Sequence, residues 1–234
     1  MKSDSERRAA MVRRTIARRG IDAPLVLEAV GAVPRERFLP AALRAFAYDD
    51  APVPIDAGQT MSQPYIVALM IQALGLEGGE KVLEIGTGSG YAAAVLARIA
   101  RDVYTVERYA QLATKAADTL STLGYENVHV LHADGTLGWP EHAPYDAIVV
   151  AAGGPGVPET LKSQLKVGGR LIIPVGAGRT AQQLVRVTRH SQHDYQQEHL
   201  AEVAFVPLVG AEGWAPNEHE SVPSTPAHAA SSTH

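Results

Sequence analysis

The stretch VLEIGTGSGY, residues 82–91, constrains the fold of this chain more than any other part of its sequence. A short apolar run leads directly into glycines at 86, 88 and 90, and an alanine-rich segment of helical composition follows. Glycines at such a turn let the backbone come close to a ligand, and the N-terminus of the following helix offers free N–H groups. The stretch therefore predicts a strand, a ligand-binding loop and a helix, as in nucleotide-binding α/β folds.

Short runs rich in β-branched residues continue this pattern along the chain. They are KVLEIG (81–86), DVYTVE (102–107), VHVLHAD (128–134), YDAIVVAA (145–152) and GRLIIPV (169–175). Helical segments lie between the first four runs, including a shorter one around 136–144, which predicts a mostly parallel, doubly wound α/β sheet. The runs QQLVRVTRH (182–190) and HLAEVAFVPLV (199–209) have only SQHDYQQE between them, so we expect them to form an antiparallel edge.

The chain divides into three parts by its pattern. Residues 1–63 contain two short helices and a proline-rich segment, which we expect to pack on the core. Residues 64–212 form that core, beginning with a helix from about Pro64 to Gly75 whose apolar residues recur at i, i+3, i+4 and i+7. Residues 213–234 lose this periodicity and fill with Pro, Ser, Thr, Ala and His, which predicts a disordered tail.

Charge and composition narrow the class of protein. The formal net charge of −4 argues against general nucleic-acid affinity, although residues 1–20 hold Lys2 and six arginines. These arginines indicate either an arm that faces RNA or a membrane, or the solvated face of a helix that buries Val12 and Ile16. The absence of interleaved aromatic residues favours the helix. Cysteine is absent and no run approaches a membrane span, so we expect a cytoplasmic protein without membrane contact.

Two acidic residues follow strands in the positions that a nucleoside ligand requires. Glu107 ends the second strand, 21 residues after Gly86, and Asp134 with Gly135 ends the third. Position 91 is tyrosine, so the glycine motif is G-x-G-x-G, whereas dinucleotide folds have G-x-G-x-x-G. The loop also lacks a basic residue to meet a pyrophosphate. The pattern favours S-adenosylmethionine over a nicotinamide or flavin, and glycines that serve packing alone are the other alternative.

Two further kinds of site find little support. Ser89 stands in T-G-S-G-Y and not in G-x-S-x-G, so it does not form a nucleophile elbow. His190, His193 and His199 fall in or beside the segment between the last two strands and have no tight ligand spacing. We therefore expect no metal site.

With these motifs together, the sequence resembles the protein-L-isoaspartate O-methyltransferases of the bacterial type. The matching segments are VPRERF (33–38), AYDDAPVPI (47–55), GQTMSQPYIV (58–67), VLEIGTGSGY (82–91), TVER (105–108), HADG (132–135), APYDAIVVAA (143–152), LKVGGRLIIPVG (165–176) and FVPLV (205–209). The glycine loop is common to methyltransferases, whereas GQTMSQP and FVPL are more particular to this family.

The resemblance implies a Rossmann-like methyltransferase fold and a reaction. The family transfers a methyl group from S-adenosyl-L-methionine to the free carboxylate of L-isoaspartyl residues and leaves S-adenosyl-L-homocysteine. The ester then cyclises to a succinimide, which begins repair of damaged proteins and peptides. We expect such substrates, no nucleic-acid or membrane partner, and a monomer. A related carboxyl O-methyltransferase with one dedicated peptide or small acid, and a non-catalytic cofactor- or RNA-binding protein, are the alternatives.

The resemblance also implies residue roles. The predicted cofactor-binding residues are Glu84, Gly86, Thr87, Gly88, Ser89, Gly90, Glu107, Asp134 and Gly135. The loop would hold the methionine part, Glu107 the ribose, and Asp134 with Gly135 the adenine. The predicted substrate-binding residues are Gln59, Thr60, Ser62, Val206, Pro207 and Leu208, with Ser62 also the catalytic serine.

Ser62 also stands where the helix that begins near Pro64 needs an N-cap. The two roles are compatible, because a helix N-terminus beside Thr60 and Ser62 could receive a substrate carboxylate. A carboxylate is already ionised at neutral pH, so its attack needs no general base. Tyr65, where animal-type members often have histidine, and Asp56, where many relatives have glycine, are departures without an assigned role.

Overall fold

The computed structural model describes residues 2–176 and 181–215. The strands are β1 (Val53–Pro54), β2 (Thr60–Met61), β3 (Lys81–Ile85), β4 (Asp102–Glu107), β5 (Val128–His132), β6 (Tyr145–Val150), β7 (Leu165–Val175), β8 (Gln182–Arg189) and β9 (Tyr195–Val203). β1 and β2 form a small antiparallel pair, and the others form one sheet in the order β5-β4-β3-β6-β7-β8-β9. β3 to β7 run parallel, and β8 and β9 are antiparallel to their neighbours. The predicted mostly parallel sheet with an antiparallel edge is confirmed.

Helices and buried side chains cover both faces of this sheet. The α-helices are α1 (Asp4–Met11), α2 (Pro24–Ala32), α3 (Pro64–Leu74), α4 (Tyr91–Ala97), α5 (Ala110–Thr122) and α6 (Glu159–Ser163). Successive strand residues point to opposite faces. Val82 accordingly packs in one hydrophobic cluster with Ile16 and Val30 of the N-terminal part, while Leu83 packs in a second cluster with Leu161 of α6.

The helix α3 confirms the predicted boundaries and corrects the predicted cap. It begins at Pro64 and ends before Gly75, whose φ of 62° provides the left-handed C-cap. The N-cap, however, is Gln63, which makes no side-chain capping bond, so the prediction of Ser62 as N-cap is wrong. The side chain of Asp50 caps the helix instead, because its Oδ1 accepts a hydrogen bond from the Tyr65 N–H at 3.3 Å.

Three other segments differ from their predicted form. The stretch around 136–144 has only the 3₁₀ turns Gly135–Leu137 and Pro140–His142. β9 begins at Tyr195, earlier than predicted, because a turn closed by the hydrogen bond from His190 N–H to Asp194 O joins it to β8 within a few residues. Residues 205–209 lie beyond the end of β9 and run beside the loop after β6.

The C-terminal end of the described chain is packed. The indole N–H of Trp214 donates to the Gly153 carbonyl at 2.9 Å. The predicted tail was placed at residues 213–234, of which residues 216–234 lie outside the described part. Among the helices of residues 2–176 and 181–215, none has the length and apolar character needed to cross a bilayer.

Candidate active site

A cavity of about 790 Å³, measured out to its open mouth, lies at the carboxyl ends of the parallel strands. Its walls include residues that follow β3, β4, β5 and β6. The chain passes from β3 outward to β4 and β5 and then returns to β6 on the other side of β3. Ligands of open α/β sheets bind at such a reversal of strand order. The cavity therefore occupies the expected binding position of this fold.

Most of the predicted site residues line this one cavity. They are Gln59, Thr60, Ser62, Gly86, Thr87, Gly88, Ser89, Glu107, Gly135, Val206, Pro207 and Leu208. The fold thus brings together three segments that are far apart in the sequence: 59–62, the glycine loop and 206–208. Glu84, Gly90 and Asp134 are not part of the lining.

Glu107 holds the glycine loop in place from the end of β4. Its Oε2 accepts a hydrogen bond from the Gly88 N–H at 2.9 Å, and its Oε1 accepts one from the Tyr109 N–H at 3.0 Å. The side chain is only 4% exposed, yet it lines the cavity. Each carboxylate oxygen has a second lone pair, so Glu107 can also accept hydrogen bonds from ligand hydroxyls.

Glu84 lies behind the loop in a buried hydrogen-bonded chain. The Thr105 hydroxyl donates to Glu84 Oε2 at 2.6 Å, and the hydroxyl oxygens of Thr105 and Thr87 are 2.6 Å apart. Burial raises the pKa of Glu84 to about 8, the Thr105 hydrogen bond opposes this shift, and the charge of Glu107 adds to it. Glu84 is therefore mostly protonated at pH 7, and it connects to the cavity through Thr87.

The carboxylate of Asp134 binds two parts of the chain to each other. Oδ1 accepts hydrogen bonds from the Thr136 N–H at 2.9 Å and from the Thr136 hydroxyl at 2.7 Å. Oδ2 accepts a hydrogen bond from the Ala211 N–H at 2.7 Å. Asp134 therefore joins the turn after β5 to the segment 208–214. Its contact with an adenine stays a prediction, as does that of Gly135, which lines the cavity beside Ile85.

Gly90 has a packing role in the structure. It is the N-cap of α4, with a φ of 87°, and a Cβ at this position would stand 3.2 Å from the Leu120 side chain of α5. The glycine therefore allows α4 and α5 to approach closely. A direct cofactor contact from Gly90 also stays a prediction.

The segment 59–62 forms the opposite wall of the cavity. It is fixed by the β1–β2 pair and by the turn between these strands, where the Ile55 N–H donates to the Gln59 carbonyl at 2.9 Å. The Ser62 carbonyl accepts from Arg35 Nη2 at 2.8 Å. The Ser62 hydroxyl takes part in no hydrogen bond within the described part of the chain, so this hydroxyl can bind a ligand.

The expectation that the α3 N-terminus receives a carboxylate is wrong. Pro64 has no N–H, the Tyr65 N–H donates to Asp50, and the N–H groups of Ile66 and Val67 donate to the Gln63 carbonyl. These bonds leave the first turn of α3 without a free N–H for a carboxylate, and a substrate contact with the hydroxyls in segment 59–62 stays a prediction.

The N-terminal arginines differ in their surroundings. Arg19 lies over the Tyr65 ring, 3.4 Å from its centroid, and pairs with Asp50 at 2.6 Å. Arg13 and Arg14 are exposed, while Ile16 in the same turns is fully buried. The buried Ile16 and the exposed Arg13 and Arg14 fit the predicted core-packing helix, whereas Arg8 and Arg19 bind other parts of the protein and are not simply solvated.

Several cavity residues were not predicted. They include Tyr91, Arg108, Tyr109, Ala151 and Ala152. All but Tyr91 follow a parallel strand directly, so the rule that ligands bind at strand carboxyl ends would have indicated them. Among the residues that the structure describes, no group of three or more His, Asp or Glu side chains could hold a metal ion.

This sheet order, with a glycine loop after β3 and an acid after β4, defines the class of an S-adenosylmethionine-dependent methyltransferase. The family model of the protein-L-isoaspartate(D-aspartate) O-methyltransferases (PCMT) matches residues 6–213. The chain belongs to this family.

Curated relatives and solved structures agree with this family. A protein-L-isoaspartate O-methyltransferase of Rhodopseudomonas palustris is 65% identical over 204 residues, which are 87% of this chain and 94% of that protein. One of Pelobacter propionicus is 58% identical over 214 residues, covering 92% and 95% of the two chains. A solved protein-L-isoaspartate O-methyltransferase superposes with a TM-score of 0.79 at 31% identity, covering 90% of this chain and 67% of its own. A Plasmodium falciparum structure of this family, in complex with S-adenosyl-L-homocysteine, superposes with a TM-score of 0.73 at 26% identity. The match covers 85% of this chain and 96% of that one.

Proposed function

We propose that this chain transfers a methyl group from S-adenosylmethionine to the free carboxylate of L-isoaspartyl residues in damaged proteins and peptides. One observation carries the proposal: a single cavity joins the glycine loop to the hydroxyl-bearing segment 59–62 and to residues 206–208. The resulting ester can cyclise to a succinimide, which begins the repair of the damaged residue.

The residues on the loop side fit the cofactor. Glu107 presents a buried carboxylate to ribose hydroxyls, and Gly88 allows close approach of the backbone because it has no side chain. Thr87 and Ser89 face the methionine part, and Gly135 borders the adenine position. When bound, S-adenosylmethionine supplies a methyl group on a positively charged sulfur, which an ionised oxygen can accept.

The residues on the other side position the substrate. The hydroxyls of Thr60 and Ser62 donate hydrogen bonds to the isoaspartyl carboxylate, which is ionised at neutral pH. Because the attacking oxygen belongs to the substrate, Ser62 orients it and does not act as a nucleophile. Alignment of the carboxylate oxygen with the methyl group and the sulfur supplies several kcal/mol of the barrier reduction.

Residues 206–208 form the surface for the peptide backbone. The Gly153 N–H donates to the Val206 carbonyl and the Leu208 N–H donates to the Gly153 carbonyl, both at 2.8 Å. Alternate residues of an extended segment point their polar groups to opposite sides, so the Pro207 carbonyl is directed away from Gly153. It can accept a hydrogen bond from an N–H of the substrate.

A comparison of matched peptides tests the proposal. Methyl transfer from labelled S-adenosylmethionine is measured with an L-isoaspartyl peptide and with the same peptide containing normal aspartate. We expect transfer to the isoaspartyl peptide and none to its control, across several unrelated sequences. Binding of S-adenosylhomocysteine without transfer to any isoaspartyl peptide would contradict the proposal and favour a dedicated substrate or a non-catalytic role.

We also propose that the chain acts as a cytoplasmic monomer that does not bind nucleic acid. The exposed large hydrophobic residues among those described, Leu25, Phe46, Leu137 and Val167, belong to four separate segments and do not suggest an apolar interface. Light scattering after gel filtration tests the oligomeric state, and cell fractionation tests the compartment. A stable dimer or a secreted protein would overturn this part of the proposal.

A further inference from the structure

Arg35 is a fully buried cation beside the active site. It is 0% exposed, and none of the ion pairs among the described residues includes it. Its Nε donates to the Ala47 carbonyl at 2.8 Å and its Nη2 to the Ser62 carbonyl at 2.8 Å, while Nη1 has no partner. Buried charges are normally paired, because desolvation is costly. Burial lowers the pKa of Arg35, and Tyr91, Tyr48 and the more distant Asp50 carboxylate oppose this effect, but no carboxylate in the described part of the chain pairs with the guanidinium directly.

The surroundings of Arg35 connect it to both sides of the cavity. Its guanidinium carbon lies 4.6 Å from the ring centroid of Tyr91, which lines the cavity and begins α4. Phe38 fixes this ring by an edge contact, with centroids 5.8 Å apart. Through Tyr91, Ala47 and Ser62, the Arg35 side chain contacts three segments: the helix after the glycine loop, the segment before β1, and the segment 59–62.

We propose that Arg35 is a positioning residue for the anionic substrate: it holds the Ser62 peptide in place and sets a positive charge, which has no direct carboxylate partner among the described residues, behind the hydroxyls that receive the substrate carboxylate. The inference rests on the proposed function, since it assumes that this carboxylate binds at Thr60 and Ser62.

The charge of Arg35 is available to such an anion. Burial lowers the pKa of Arg35, but a guanidinium remains protonated near neutral pH. The carboxylate of Asp50 acts on Arg35 only from a distance, because its direct ion pair is with Arg19 at 2.6 Å, and Glu36 accepts a hydrogen bond from Tyr48. Charge interactions are strong where water is excluded, so the cation favours an ionised ligand at Ser62 over a neutral one.

The shape of the side chain matters as well as its charge. The planar guanidinium donates to Ala47 and Ser62 at once from fixed positions. Lysine would retain a positive charge but could not hold both carbonyls in the same geometry. Arg35→Lys and Arg35→Met therefore separate the two parts of the proposal, because only the methionine variant removes the charge.

The experiment compares two peptides on protein saturated with S-adenosylhomocysteine. One peptide contains isoaspartate and the other the neutral isoasparagine, and calorimetry measures the Kd of each. We expect the wild type to prefer the anionic peptide. Arg35→Met should weaken its binding by about 10-fold or more beyond any loss seen with the neutral peptide, which reports on positioning alone, so the preference is lost. Arg35→Lys should keep the preference but lose about 10-fold or more in kcat, since small displacements of a positioned group are costly.

The controls distinguish this role from a purely structural one. Arg37→Met removes a cation two positions away that is exposed, and it should leave both peptide affinities unchanged. S-adenosylhomocysteine affinity and Tm verify that each variant is folded. A folded Arg35→Met protein that still prefers the anionic peptide would overturn the inference. If that variant does not fold, wild-type kcat in Arg35→Lys overturns it. An inactive wild type would instead reject the proposed function.

Discussion

At the scale of single residues, the carbonyl and the hydroxyl of Ser62 have different surroundings. Arg35 donates a hydrogen bond to the carbonyl, whereas the hydroxyl makes no hydrogen bond within the described part of the chain and Ser62 lines the cavity. We predict that Ser62→Ala lowers kcat/KM for an isoaspartyl peptide by about 10- to 100-fold, the value of a hydrogen bond to a charged group. The affinity for S-adenosylhomocysteine, measured by calorimetry, should not change. Wild-type kcat/KM in this variant would remove Ser62 from the substrate site.

Glu84 gives the folded protein a pH dependence of its own. Its pKa is raised to about 8 by burial, so the folded state binds a proton that the unfolded state has already released above its ordinary pKa of 4.5. The stability from this proton is therefore complete below pH 4.5 and is lost as the pH rises toward 8. Glu84→Gln mimics the protonated form, so its Tm relative to the wild type should rise between pH 5 and pH 8.

Thermal unfolding of both proteins from pH 5 to pH 9 measures this difference. Glu126→Gln is the matched control, since Glu126 is exposed and should give a constant difference from the wild type. If the plot of Tm against pH for Glu84→Gln runs parallel to that of the wild type over the whole range, Glu84 is already ionised in the folded protein.

At the scale of elements, the segment 208–214 depends on the small size of Gly210. A Cβ at this position would stand 2.1 Å from Asp134 Oδ1, the carboxylate that accepts from the Ala211 N–H. We predict that Gly210→Ala displaces this segment, lowers stability by about 1–3 kcal/mol and raises KM for the peptide through Leu208. Gly156→Ala is the control, because its Cβ would meet nothing within 4 Å. Equal Tm and KM in the two variants would contradict this role.

Periodic and local signals were enough to predict most elements. The strands β3 to β8 and the helix α3 follow from apolar runs and their flanking glycines, and the cavity at the strand ends follows from their order. The capping of α3 could not be predicted in this way. Its carboxylate, Asp50, comes from an irregular segment 15 residues before Tyr65, and only the tertiary fold brings the two together.

Arg35 was also beyond the reach of local signals, because an arginine in a charged stretch such as VPRERF reads as a surface residue. The helix predicted around 136–144 does not form, for a different reason. Its composition is helical in part, but Gly138 adopts a φ of 63° and Pro140 follows, so the chain forms two short turns.

At the scale of the whole molecule, the cavity joins segments from both ends of the described chain. Residues 59–62, the loops after β3 to β6 and residues 206–208 all contribute to its walls. A ligand in this cavity therefore stabilises the fold as a whole, and its effect on Tm reports on the identity of the ligand. If the glycine loop binds a dinucleotide, NAD should raise the Tm; if it binds S-adenosylmethionine, S-adenosylhomocysteine should.

We predict that S-adenosylhomocysteine, at about 100 times its Kd, adds about 2.7 kcal/mol to stability and raises Tm by about 5–10 °C. NAD should give no shift, because no residue within the G-x-G-x-G loop is basic and could meet a pyrophosphate. Glu107→Gln should reduce the shift from S-adenosylhomocysteine, since an amide cannot accept from both ribose hydroxyls and the two backbone N–H groups that now bind the carboxylate. Thermal unfolding at a series of ligand concentrations measures all three. A shift with NAD would contradict the choice of S-adenosylmethionine over a dinucleotide, and an equal shift in Glu107→Gln would overturn the assignment of Glu107 to the ribose.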